Sequence, residues 1–207
     1  MQVLFVHGMG RSPVSGWPLL RRLQQAGAHT SSFGYSAAFE SFDSIVARLK
    51  ARTVRLAASG DYVVVGHSLG GVLLRAALNA LPAGTAMPQH VYLLGSPMRA
   101  SRLAVGLKGN LLFRGVAGDC GQLLASPERM SDVGPLAVPT TGIAGVRGLR
   151  HRFGPFGMEP NDGVVTVSEV SAPWLSSALQ VPVVHTLLPS SGLVAGLIVR
   201  AVRPDTG

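Results

Sequence analysis

Short apolar runs alternate along this chain with amphipathic stretches. Val3 to Val6 reads as a buried strand that ends at the glycine loop His7-Gly8-Met9-Gly10. A helix is predicted next, because Pro18 suits a first-turn position, Leu19, Leu20 and Leu23 recur at helical spacing, and Gly27 is a natural stop. His29 to Phe33 reads as a second strand. Phe42, Ile45, Val46, Leu49 and Leu56 then recur near the 3.6-residue period, with Asp43 near the start, which predicts a helix ending by Gly60. Tyr62 to Val65 gives another buried strand, stopped by Gly66. From Leu69 to Leu81 apolar residues repeat at i, i+3 and i+4 until Pro82 ends the helix. Val91 to Leu94, Thr140 to Val146 and Val181 to Val184 are the remaining predicted strands, and a helix from about Ser191 to Val202 follows the last of them.

Strands alternating with helices imply an α/β fold, a mostly parallel sheet covered on both faces and joined by right-handed crossovers. With 207 residues the chain can bury one sizeable core, so a single domain spanning 1–207 is expected. Two stretches lack a clear period, Met98 to Pro139 and Arg147 to Asn161. The segment at about 98–139 is expected to form a small, irregular, cap-like region, and loops of this kind are where sites are built.

Gly66-His67-Ser68-Leu69-Gly70 matches G-x-S-x-G, in which the flanking glycines permit a strained strand-to-helix turn that presents the serine. With 26 glycines and 19 serines the pattern arises readily by chance, so its context must discriminate. Here it occurs once, directly after a buried β-branched run and directly before an amphipathic helix. A serine hydroxyl needs a base within hydrogen-bond reach, itself held by a third group, and in this turn architecture the chain order is Ser, then Asp or Glu, then His. Three histidines follow Ser68. His90 has no acid between it and the serine, His151 lies in a basic loop before Asp162, and His185 follows the predicted strand Val181 to Val184, at the kind of strand end where open α/β sheets place their sites. His185 is therefore the expected base. Asp162, in the turn-forming run P-N-D-G, is the expected acid, Glu159 is the runner-up, and Asp119 and Asp132 are expected to be solvated or capping. The oxyanion of a tetrahedral intermediate needs backbone N–H donors, for which Leu69 and Met9 are the candidates. His7 and His67 are expected to hydrogen-bond the loops they belong to. No histidine or acid stands at metal-ligand spacing, so neither a catalytic metal nor a cofactor is expected.

Composition changes this picture little. Hydrophobic residues make up 47% and charged residues 14%, as in compact globular proteins. The net charge of +8 would suit a polyanion, but the arginines are scattered and no nucleic-acid motif accompanies them, so no nucleic-acid partner is expected. Arg147, Arg150, His151 and Arg152 form a basic loop leading to Asp162, which is expected to tune access to the site and would permit transient contact with an anionic membrane surface. The single Cys120, in a G-D-C-G turn, is expected to be buried and unreactive, and it excludes an internal disulfide. No apolar run approaches the ~20 residues of a membrane span, and the N-terminus has no signal-type segment. These features lead to the expectation of a soluble, cytoplasmic protein.

The run V-L-F-V-H-G-M-G, with G-H-S-L-G-G, L-L-G-S-P, N-D-G-V-V and V-V-H-T, resembles the small bacterial lipases and esterases of the α/β-hydrolase superfamily, including lipase-like members related to enzymes that deacylate lipid anchors. The resemblance spans nearly the whole chain. It implies a compact α/β-hydrolase fold, a triad of Ser68, Asp162 and His185, oxyanion donors at Met9 and Leu69, and Ser96 and Pro97 near an acyl pocket. The early antiparallel strands of larger relatives are expected to be absent, and the segment after Met98 is too short for a large lid domain. The expected activity is cleavage of a small-molecule or lipid carboxylic ester through an acyl-serine intermediate. Thioesterase or acyltransferase activity with the same triad, a non-catalytic lipid-binding module on this fold, and a nucleotide-binding glycine loop are the competing readings, although neither glycine loop matches G-x-G-x-x-G or a P-loop.

Overall fold

The computed structural model describes residues 1–202. Six parallel strands, β1 (Gln2–Val6), β2 (His29–Phe33), β3 (Tyr62–His67), β4 (His90–Leu94), β5 (Thr140–Gly145) and β6 (Ser177–Val181), form one sheet in the order β2-β1-β3-β4-β5-β6. The β-branched and leucine-rich strands are the central ones, because a parallel strand is buried on both faces. Their side chains alternate between two cores. Leu4, Val6, Val64 and Leu93 pack against helices α2 (Phe42–Ala58), α3 (Leu69–Asn79) and the later α5 (Leu111–Leu124). Val3, Phe5, Val63, Val65 and Leu94 pack against α1 (Trp17–Gln25) and α7 (Gly192–Val202).

Helix ends follow their local chemistry. Ser41 caps α2 by accepting from the Ser44 N–H, and Pro18 occupies the first turn of α1. The last strand differs from its expected position. It runs Ser177–Val181 and stops where Pro182, which has no N–H, would have to continue the ladder. As an edge strand it alternates partly buried with exposed positions, so Ala178 and Gln180 face solvent and its apolar content is low. The predicted Val181 to Val184 strand is thus displaced toward the N-terminus, and β5 ends one residue before Val146.

The 98–139 segment is more regular than its composition implies. It forms α4 (Arg102–Leu107), α5 and α6 (Pro127–Asp132), with Asn110 and Ser126 accepting from the backbone at the starts of the last two. Glycines 106, 109, 115, 118 and 121 obscure the helical period there. At Gly118 the backbone turns to φ +52°, breaking α5 into two parts, and a Cβ at this position would lie 2.2 Å from the Ala37 carbonyl oxygen. No helix among the described residues is long and apolar enough to cross a membrane.

Candidate active site

Ser68 stands at the turn between β3 and α3, at the C-terminal edge of the sheet. Its φ of +53° makes it the only non-glycine residue with positive φ among those described, a strained conformation held by its surroundings. Those surroundings are close backbone contacts. A Cβ on Gly70 would lie 2.2 Å from the Val6 carbonyl oxygen and 2.4 Å from that of His7, and one on Gly66 would lie 2.4 Å from the Gly71 Cα. The Ser68 N–H donates to the Leu94 carbonyl at 2.8 Å, and the Ser96 hydroxyl donates to the Ser68 carbonyl. Helix α3 begins at Leu69, whose amide, as the first of a helix, has no intrahelical acceptor. The loop after β1 brings Met9 to the wall of the same cavity as Ser68.

His185 opens a short 3₁₀ turn, His185–Ser190, four residues beyond β6 rather than directly at a strand end. Its Nδ1–H donates to Asp162 Oδ2 at 2.6 Å, and its backbone N–H donates to the Asp162 carbonyl at 2.9 Å. With the proton on Nδ1, the Nε2 lone pair is free to accept. Asp162 is buried, and its second oxygen accepts from the N–H groups of Val164 and Val165, both at 2.9 Å, so the whole carboxylate is committed. Glu159, the alternative acid, is engaged elsewhere, accepting from the Ser168 N–H at 3.1 Å and pairing with Arg102 at 2.8 Å. His151 is exposed in its loop, and His90 sits at the opposite end of the sheet bonded to Thr141.

Ser68 and His185 line one cavity of about 320 Å³ together with Met9 and Arg11. Its apolar wall comes from the helices of the 98–139 segment, through Leu103, Ala104, Phe113, Val116 and Leu124. Ser96 and Pro97, expected beside this cavity, do not line it. Both are buried behind the elbow, where Ser96 braces Ser68 and the Pro97 carbonyl accepts from Arg75 at 3.3 Å. The residue of L-G-S-P that does approach the site is Gly95, since a Cβ there would stand 2.9 Å from His185 Nδ1.

The two other histidines of the site are held in their neutral form. His7 donates through Nδ1 to the Gly8 carbonyl at 2.8 Å and stacks on Tyr35 with ring centres 4.3 Å apart, and burial lowers its pKa. His67 donates through Nε2 to the His185 carbonyl at 3.0 Å, and its ring centre lies 4.8 Å from that of His185. Burial first, and the neighbouring His185 second, push the His67 pKa well below 6.5. Its Nδ1 faces Gly8, where a Cβ would come within 3.0 Å, and has no hydrogen-bond partner. Sequence reading missed how His67 connects the loops of Ser68, His185 and Met9, because the pairing spans 118 positions. Cys120 is buried, and burial pushes its thiol up to about 12, which leaves it unreactive. Asp119 accepts from the Phe42 N–H at 2.8 Å and so caps α2. Among the described residues no group of three or more His, Cys, Asp or Glu side chains could hold a metal ion.

A parallel sheet with a strained serine between strand and helix, and a histidine and aspartate on later loops, defines an α/β-hydrolase. A model of the alpha/beta hydrolase family matches residues 3–201, and the chain belongs to that family. Among solved structures, a lipase of Bacillus licheniformis in its mature form is similar with a TM-score of 0.77 and 18% identity, covering 98% of this chain and 92% of that one. A metagenomic carboxyl esterase gives 0.74 and 15%, covering 98% and 74%. The RedJ thioesterase of the prodiginine pathway of Streptomyces coelicolor gives 0.64 and 16%, covering 97% and 88%. At such identities the likeness shows the fold alone. Comparison with curated proteins gives no match.

Proposed function

We propose that this protein is a serine hydrolase that cleaves carboxylic esters. The observation that carries the reading is the single cavity shared by a strained Ser68 and a His185 whose Nδ1 is held on a buried carboxylate. In the proposed reaction, the Ser68 hydroxyl attacks the ester carbonyl carbon as its proton passes to His185 Nε2. The Met9 and Leu69 amides donate to the oxyanion that forms. The carbon–oxygen bond to the alcohol then breaks, and the alcohol leaves with the proton from His185. Water next attacks the acyl-serine, its proton again passing through His185, and the acid and free Ser68 are released. Asp162 holds the imidazole in the required tautomer and stabilises its cationic form.

The apolar cavity wall favours an uncharged acyl chain. Thioester cleavage or acyl transfer would use the same three residues, and one fold neighbour is named a thioesterase. Exposed Leu149 and Phe153 beside Arg150 and Arg152 suit transient contact with an anionic membrane surface, with the arginines acting on access rather than chemistry. Labelling by a fluorophosphonate, together with turnover of p-nitrophenyl esters and matched thioesters of increasing chain length, tests the reading. Ser68→Ala is expected to abolish labelling and to lower ester turnover by about 10⁴ or more while leaving the circular dichroism spectrum unchanged. Wild-type turnover in that variant would remove Ser68 from the mechanism, and a folded wild-type protein that resists the label would favour a binding module.

A further inference from the structure

A second hollow, of about 310 Å³, lies on the far side of His185 from the acyl cavity. The two share Val164, His185 and Thr186 as a common wall, so His185 stands on the ridge between them. In the proposed reaction the leaving oxygen takes its proton from His185, which places the alcohol portion of a substrate on the histidine side, with the acyl chain against Leu103, Phe113 and Val116. Arg147 lines this second hollow and also an adjoining one of about 450 Å³ formed with Val183, Val184 and Leu187.

Three observations bear on what Arg147 does. It has no hydrogen-bond or ion-pair partner among the described residues, a condition it shares with exposed Arg55, Arg114 and Arg150, but it lines both hollows. The Asp162 carboxylate takes its hydrogen bonds from His185, Val164 and Val165, and Arg147 forms no ion pair with it. The backbone carrying Arg147 is fixed on both sides. The Val146 N–H donates to Val181 at 3.0 Å, the Gly148 N–H donates to the Asn161 carbonyl at 2.7 Å, and a Cβ on Gly148 would collide with the Asn161 side chain. The fixed backbone thus keeps the root of the Arg147 side chain at the hollow that His185 also lines.

We infer that Arg147 binds an anionic group, phosphate or carboxylate, carried by the leaving alcohol of the substrate, so that the protein prefers esters of anionic alcohols. The inference rests on the ester-hydrolase reading for the orientation of the substrate. Guanidinium matches a phosphate or carboxylate with paired donors. Because Arg147 is solvent-exposed, the preference should be modest and reduced by salt.

The test compares kcat/KM on 1-butanoylglycerol and 1-butanoylglycerol 3-phosphate, two monomeric esters that differ by the phosphate on the alcohol. Arg147→Gln is expected to lower the phosphate-to-neutral ratio about fivefold (~1 kcal/mol) at low salt and less at 0.5 M salt, while Arg150→Gln leaves the ratio in place. In parallel, glycerol 3-phosphate should shift the amide resonances of residues 146–149 and 184–186 in the unmodified protein and not in Arg147→Gln. An unchanged ratio in Arg147→Gln overturns the inference. So does an equal shift from Arg150→Gln, which would signify a general field. A loss confined to phosphatidylglycerol vesicles, with the monomeric ratio intact, also overturns it and assigns Arg147 to surface contact. Should neither ester turn over, Arg147-dependent binding of glycerol 3-phosphate would sustain the anion site while the ester-hydrolase reading fails, and absence of that binding would overturn both.

Discussion

The Ser68 side of the site and the side carrying Asp162 and His185 meet at one cavity but are held by different forces. Around Ser68 the chain is pressed together, with strand β1, strand β3 and helix α3 in contact through Gly66, Gly70 and Gly71 and almost no side chain between them. Around His185 the chain runs through loops. What fixes it there is a set of directional bonds, from Asp162 to His185, Val164 and Val165, from His67 to the His185 carbonyl, and between Gly148 and Asn161. Around Ser68 an added atom would meet backbone, whereas around His185 the donors and acceptors decide, with tight packing confined to particular glycines such as Gly95 and Gly148 and open space at Gly163. Substitutions on the two sides should therefore fail in different ways.

The largest effect is expected from changing one acceptor on the loop side. Asp162→Asn should lower kcat by about 10⁴ with little loss of stability, because the amide favours the wrong tautomer of His185. Glu159→Gln should cost less than about tenfold, since its carboxylate serves Ser168 and Arg102. The reverse ranking in steady-state assays would return the acid to Glu159.

Adding a single methyl group should separate the two sides by stability. Gly70→Ala forces a carbon to 2.2 Å from the Val6 carbonyl oxygen and is expected to cost about 4 kcal/mol or prevent folding. Gly163→Ala, in the turn after Asp162, meets nothing within 4 Å, and its φ of +98° leaves only backbone strain of about 1–2 kcal/mol. Equal urea midpoints for the two variants would break the distinction between steric and hydrogen-bonded halves.

His67 joins the halves, and its effect is the smallest and depends on pH. Its pKa in the folded protein is depressed, so as pH falls below about 6.5 the unfolded chain takes up a proton that the native protein refuses. Stability from this group is complete above that pH and declines below it, by up to about 1.4 kcal/mol per pH unit. Urea midpoints between pH 6.5 and 5 should fall more steeply in the unmodified protein than in His67→Gln. Parallel slopes would mean that His67 does not stay neutral.

The same difference explains what could be read before the structure. β1, β3 and α3 are legible because central parallel strands are near-continuous Val and Leu, and because close approach at an elbow demands glycine at set positions in one short stretch. Asp162 and His185 were reachable by chain order and turn chemistry, and the structure brings their side chains together. Ser96 and Pro97 went astray because a strand-end motif says that a segment is near the site but not which residue turns toward it. Gly95 meets His185 while Ser96 turns toward Gly71. β6 was displaced because an edge strand of Ser, Ala and Gln carries a weak apolar signal, α4 and α5 were missed because glycines interrupt their period, and α6 because its six residues, PERMSD, are too short and polar to show one.

The break at Gly118 divides α5 where its surroundings change. Phe113 and Val116, which face the acyl cavity, precede it, whereas Cys120 and Leu123, buried in the main core, follow it, and Asp119 ties the later half to the start of α2. The left-handed glycine is thus a joint between a more exposed half of α5 and a more buried one, with Phe113 and Ala117 before it also touching the core and Leu124 after it also lining the cavity. A substitution at exposed Val116 should therefore alter the cavity wall at less cost to folding than one at buried Cys120 or Leu123.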